Sequence, residues 1–258
     1  MAAIGTRTGP LKRRAFRPRI PVMARPKRIV VPAWPHHVAQ RAVGLMSGDA
    51  QLARYLRHLL VVVRRFRVKV LGWCLMDDHV RMVAVPPDRE APGLLMRAAE
   101  AVQVRENNWL TDRHAPLLRE RFQSCVLDQD YVCVAVREME LAPVRAGLVK
   151  RPEHWPWSSA RYNLGLYPLD LLVRRRVLPE MVINWREWLG LQDEQAEGYL
   201  ARCTRTGWPC GSKGFAELVG KRLRRKLERR KPGPKPKEIV VWGGRRYGWY
   251  IRRRKQEK

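Results

Sequence analysis

The sequence predicts an α+β fold, and three observations carry that prediction. Short β-branched runs alternate apolar and polar residues, as a strand with two unlike faces requires. Two longer stretches repeat apolar residues at i, i+3 and i+4, the spacing of a helix with one buried stripe. Two of the strand-like runs are separated only by Asp77-Asp78, which is the length of a tight hairpin.

In chain order, residues 28–32 and 37–43 alternate in this way and are interrupted by Pro32 and Pro35. They are expected as a first strand with a bend. Ser47 or Asp49 can cap a helix in which Leu52, Tyr55, Leu56, Leu59, Leu60 and Val63 form the stripe. Residues 68–76 and 79–85 are the second and third strands, paired as a hairpin. Pro92 opens another helix to about Leu110, with Leu95, Ala98, Ala99 and Val102 inward, and residues 121–127 form a fourth strand. The order β-α-β-β-α-β is that of a ferredoxin-like sandwich.

Beyond it, Asp128 or Asp130 caps a helix over Tyr131–Leu141, and Pro143 opens a short second one that ends before Gly147. The segment 152–165 is aromatic and loop-like, and short helices are expected around Trp185, Trp188 and Tyr199. Ser212 can cap a helix at 213–230 with Phe215, Leu218, Val219, Leu223 and Leu227 on one face. The chain therefore divides into a disordered basic tail (1–22), a core domain (23–165), a helical extension (166–230) and a basic C-terminal tail (231–258).

The charge points to a partner. Lys plus Arg outnumber Asp plus Glu by 52 to 24, a formal net charge of +28. Residues 1–28 hold nine of these cations and no acid, and residues 221–258 hold seventeen against three Glu, so only +5 falls on the body between. Such ends suit a polyanion, most simply nucleic acid. No apolar run approaches the ~20 residues of a membrane span, and no apolar signal core opens the chain, so a cytoplasmic, nucleoid-associated protein is expected. The five cysteines are odd in number and widely spaced without a CxxC pair, which argues against both a zinc site and a disulfide framework.

The stretch Trp73–Val85 is where chemistry could sit. Residues i and i+2 of a strand share a face, so His79 and Arg81 project together beside the acidic turn. His36 and His37 look like a metal pair but point to opposite faces, with His37 expected inward and His36 outward. Trp155 and Trp157 are candidates for stacking on unpaired bases, although most tryptophans should be packing residues.

Five ordered blocks resemble a family. Residues 23–29 with His37, Val38 and Arg41, the hairpin Leu75–Val85, Arg121-Phe122-Gln123-Ser124, Pro143–Val149, and Pro156-Trp157-Ser158-Ser159 look like those of REP-associated tyrosine transposases. These are single-tyrosine HUH transposases, and the C-terminal Thr206–Phe215 and Gly233–Lys237 resemble the family's extension. The resemblance implies a DNA partner, single-stranded or hairpin repeat ends. It also implies a divalent cation, Mg or Mn, held by two histidines two apart, and a tyrosine nucleophile on the helix after the hairpin, packed beside the histidine pair.

This chain departs from that pattern twice. His79 matches the first histidine, but Arg81 stands at the second, and a guanidinium has no lone pair for a metal. The alignment of blocks places Gln103 at the nucleophile, and an amide does not attack a phosphodiester. The expected protein binds DNA and has lost strand cleavage, with His79 a weak metal ligand or none. The alternatives are an active transposase using a displaced tyrosine and rebuilt metal site, and an RNA-binding or structural derivative. The expected nucleic-acid contacts are Arg41, Arg81, Arg121, Arg145, Lys221, Arg222, Arg224, Arg225, Lys235 and Lys237. The sequence assigns no oligomeric state.

Overall fold

A computed structural model describes residues 28–41, 48–111, 121–176, 178, 182 and 184–227, and in the helix 91–111 the side chains of 91–101, 104 and 105. The expectations for both tails, including Lys235 and Lys237, lie outside the described residues, as does the side chain of Gln103. Among the described residues no helix is long and apolar enough to cross a membrane.

The elements are β1 (His36–Arg41), α1 (Asp49–Arg65), β2 (Lys69–Leu75), β3 (His79–Val85), α2 (Ala91–Thr111), β4 (Gln123–Val126), α3 (Gln129–Arg145), α4 (Ala160–Asn163), α5 (Trp185–Gly190), α6 (Glu194–Thr206) and α7 (Phe215–Leu223). The four strands form one antiparallel sheet in the order β2-β3-β1-β4. The hairpin forms where the sequence places it, and Met76 N–H donates to His79 O at 2.9 Å to close its turn.

Both faces of the sheet are covered. Val38 of β1 and Val80, Met82 and Ala84 of β3 pack with Leu56 and Leu59 of α1 and Leu95, Met96 and Ala99 of α2. The alternate residue Val83 packs on the other face with Val136 and Met139 of α3 and Leu200 of α6. Double coverage corrects the reading of His36. Both histidines are buried, because the face to which His36 points is covered too. His36 Nε2 accepts from Val31 N–H at 3.2 Å, and His37 Nδ1 meets Thr204 Oγ1 of α6 at 2.8 Å. The Thr204 hydroxyl donates to Leu200 O, so its lone pair receives the His37 ring N–H. Burial lowers both imidazole pKa values to about 4, which keeps them neutral.

Other boundaries shift for local reasons. Residues 28–30 are not strand, and the chain turns at 32–34 before β1 begins. Gly48, not Ser47 or Asp49, stands at the N-cap of α1. Asp128 does cap α3, accepting from Tyr131 N–H, but the helix runs unbroken through Pro143 to Arg145. Pro143 has no N–H for the carbonyl of Met139 four residues back, and the packing of α3 on the sheet carries the helix through that one missing bond. Helix α7 is shorter than expected, since the chain turns back at Arg224 with φ +51°, and Leu218 on it is exposed. All five cysteines are free and buried. Burial raises the thiol pKa of Cys74, and raises that of Cys133 to about 11.

Helix α3 lies close on β2. A Cβ at Gly72 would come within 2.8 Å of Val136 Cγ1 and 2.9 Å of its Cγ2. Two residues beyond Glu138, the carboxylate of Glu140 is wholly buried, with no cation paired to it among the described residues. It accepts from Ser159 Oγ at 2.7 Å, Asn163 Nδ2 at 2.6 Å and Trp185 Nε1 at 2.9 Å, tying α3 to α4 and α5. Desolvation outweighs these three donors and raises its pKa to about 7.

Two outcomes follow from this packing. Gly72→Ala forces methyl against a stiff, buried valine and should cost about 1–3 kcal/mol in urea unfolding; Val136→Ala in the same chain should recover part of it. The Glu140 pKa is higher folded than its ordinary 4.5, so its contribution is fully present below about pH 4.5 and is lost as pH rises through about 7. Melting temperature should therefore fall across that window in the native chain, and the slope should flatten in Glu140→Gln.

Candidate nucleic-acid cleft

The face of the sheet that carries α3 is left open at one end, and register explains what is gathered there. Arg41 pairs with His79, and Ala39 pairs with Arg81 on one side and Gln123 on the other. Cross-strand partners project from the same face, so Arg41, His79, Arg81 and Gln123 surround the small side chain of Ala39. With Asp78, Arg121 and Gln40 they line a cleft of about 290 Å³. Three of the expected DNA contacts, Arg41, Arg81 and Arg121, thus meet around His79.

Arg81 is held at the base of the cleft by Glu138 of α3, through a charge-assisted hydrogen bond from Nη1 to Oε1. Burial opposes ionisation of Glu138. Arg81, with Arg145 adding to it, outweighs it and holds the carboxyl below the usual carboxylate range. His79 Nδ1 lies 2.5 Å from Asp78 Oδ1, so the ring is tethered to its own turn. Its pKa is lowered, by desolvation first and by Arg81 second, against the pull of Asp78.

The helix expected beside the histidine position is not there. β3 residues 80, 82 and 84 face α2, whereas 79, 81 and 83 face α3. Helix α2, which contains position 103, lies across the sheet from His79 and Arg81. A side chain reaching Arg81 from a helix comes from α3, and Glu138 is the one that does. Sequence reasoning missed Glu138. The available signal was a pair of carboxylates, Glu138 and Glu140, in the run Tyr131–Leu141, whose only other charged residue is Arg137.

The remaining expected contacts are dispersed. Arg145 sits in the last turn of α3 and donates to Glu197 Oε1 at 2.8 Å, away from the cleft. Lys221, Arg224 and Arg225 line a separate groove beside α7, and Arg222 is exposed on that helix. Trp155 and Trp157 serve the fold, donating to Leu75 O and Asp49 Oδ1 respectively.

The residues in the cleft do not fit a divalent cation. Arg81 offers charge of the wrong sign, one ring nitrogen of His79 is taken by Asp78, and the Glu138 carboxylate is neutralised. Among the described residues no group of three or more His, Cys, Asp or Glu side chains could hold a metal ion. No tyrosine lines the cleft among the described residues.

No family model matches the chain, and no curated protein matches it. Among solved structures, the chain is similar to a REP-associated tyrosine transposase bound to a REP hairpin, at 17% identity and a TM-score of 0.44. That likeness covers 59% of this chain and 98% of the other.

The ion pair sets a measurable cost. Arg81→Met leaves a mostly buried carboxylate without its cation and should destabilise the chain by about 1–3 kcal/mol at neutral pH. Adding Glu138→Leu should restore most of the loss. Because the folded pKa of Glu138 is depressed, the pair's contribution is present above its ordinary 4.5 and lost as pH falls through the depressed value. The Arg81→Met penalty, read from denaturant midpoints, should therefore shrink in acid.

Proposed function

We propose that this chain is a DNA-binding protein of the REP-associated tyrosine transposase type that grips hairpin or single-stranded repeat ends without cutting them. The observation that carries the reading is the Arg81–Glu138 pair at the base of the arginine-lined cleft. In the resembled family a metal and a tyrosine would act on a phosphodiester at this hairpin. Here a fixed guanidinium and its counter-charge fill that space. The cation keeps the site attractive to phosphate, while neither group polarises or attacks it. Arg41 and Arg121 extend the attraction along the open rim, and the basic ends of the chain add a sequence-independent term.

The ferredoxin-like reading of the core is supported by the element order β-α-β-β-α-β and the strand order β2-β3-β1-β4. The reading assigns no cofactor to the chain, since the donor set at His79 is unsuited to a divalent cation. Strand cleavage by a displaced tyrosine is the weaker alternative, because no described tyrosine lines the cleft.

The test is binding of a labelled DNA hairpin with single-stranded flanks, in Mn²⁺, followed by denaturing electrophoresis. Native protein should bind and leave no covalent adduct. Arg41→Glu with Arg121→Glu should weaken binding by about tenfold or more and reduce the slope of log affinity against log salt by roughly 1.5–2. A tyrosine-linked adduct, or binding indifferent to both substitutions, would overturn the proposal.

A further inference from the structure

We infer that the groove between Trp208 and the C-terminal turn of α7 is a second nucleic-acid site, one that takes unpaired nucleotides by stacking a base on Trp208 and holding the adjoining phosphates on Lys221, Arg224 and Arg225. The inference rests on the DNA-binding reading and adds a site and a strand state to it.

The groove is built by backbone geometry. Helix α7 buries Phe215 and Val219 against Val31 and Val126, which fixes its outer face toward solvent. The chain then reverses at Arg224, whose positive φ closes the helix, and Arg225 N–H donates back to Gly220 O at 2.9 Å. The reversal needs Gly220, because a Cβ there would lie 2.9 Å from Arg225 O. Residues 225–227 are thereby folded back along α7, and a groove of about 720 Å³ opens between them and Trp208.

Its chemistry is that of a nucleotide site. Four cations line it with a single carboxylate, Glu217, and one wall is the half-buried indole of Trp208. A large apolar surface beside clustered ammonium and guanidinium groups matches a base next to its phosphates. In duplex DNA the base faces are already stacked, so the indole can serve only an unpaired strand. The groove is separate from the cleft: α7 packs on Val126, three residues along β4 from Gln123 and so on the opposite face, beside the end of β1 at His36, while the cleft lies at Arg41 at the other end.

The experiment uses the full chain and two labelled probes of equal length and charge, a short oligothymidylate and its abasic counterpart, read by fluorescence anisotropy. Native protein should prefer the oligothymidylate by about tenfold. Trp208→Leu should erase the preference while still binding the abasic strand, and Trp208→Phe should keep most of it. Lys221→Glu with Arg225→Glu should weaken both probes by about tenfold or more. If Trp208→Leu loses its fold, the decision passes to this charge-reversed variant, whose exposed side chains are outside the core. Equal affinity of native protein for the two probes, or native-like binding by the charge-reversed variant, would overturn the inference. Either result leaves the cleft reading standing if Arg41→Glu with Arg121→Glu still impairs hairpin binding, so the two failures are distinguishable.

Discussion

The seating of α3 on the sheet is the constraint on which the rest depends. It covers the second face of β2 and β3 so closely that Gly72 must lack a side chain beneath Val136. It also places two carboxylates, two residues apart, on nearly opposite sides of one helix. Glu138 meets a guanidinium, and its pKa falls below the ordinary range despite burial. Among the described residues Glu140 meets only neutral donors, and burial wins, raising its pKa to about 7. One helix thus uses the same functional group once as a counter-ion at the cleft and once as a neutralisable knot that binds α4 and α5 to the core.

The cleft follows from register and from that helix together. Ala39 leaves room, its neighbours Arg81 and Gln123 form the sides, and Arg41 and Arg121 stand on the rim. The cation at the base of the cleft is Arg81, already paired with Glu138. A bound cation with open coordination draws electron density from a phosphate, whereas a paired guanidinium can only hold one.

Much of this was legible in the sequence. The hairpin, the stripe of α1 and the β-α-β-β-α-β order follow from periodicity and from the two-residue acidic spacer. What was not legible is which helix lies on which face, because alternation in β3 says that 79 and 81 share a side and not what covers it. The same gap produced the outward reading of His36, where period-two logic was right and the covering of both faces was unseen. Pro143 reads as a helix start because a missing N–H costs nothing in a first turn, whereas here the packing of α3 on the sheet carries the helix through the one bond lost. Glu138 escaped notice because a carboxylate in a helix ordinarily marks a solvated face. Its significance lies in Arg81, 57 positions away along the chain.

The buried cysteines have a bearing on how this protein ages. A thiol that burial keeps protonated and out of reach of solvent is a poor nucleophile. Cys74 and Cys133 lie in the same packed layer as Val136 and Met139, against the back of the cleft. Oxidants therefore reach them only when that layer opens, and the rate of damage is set by the frequency of local opening rather than by intrinsic sulfur reactivity. Any change that loosens α3 from the sheet would convert inert core residues into the chain's most vulnerable points.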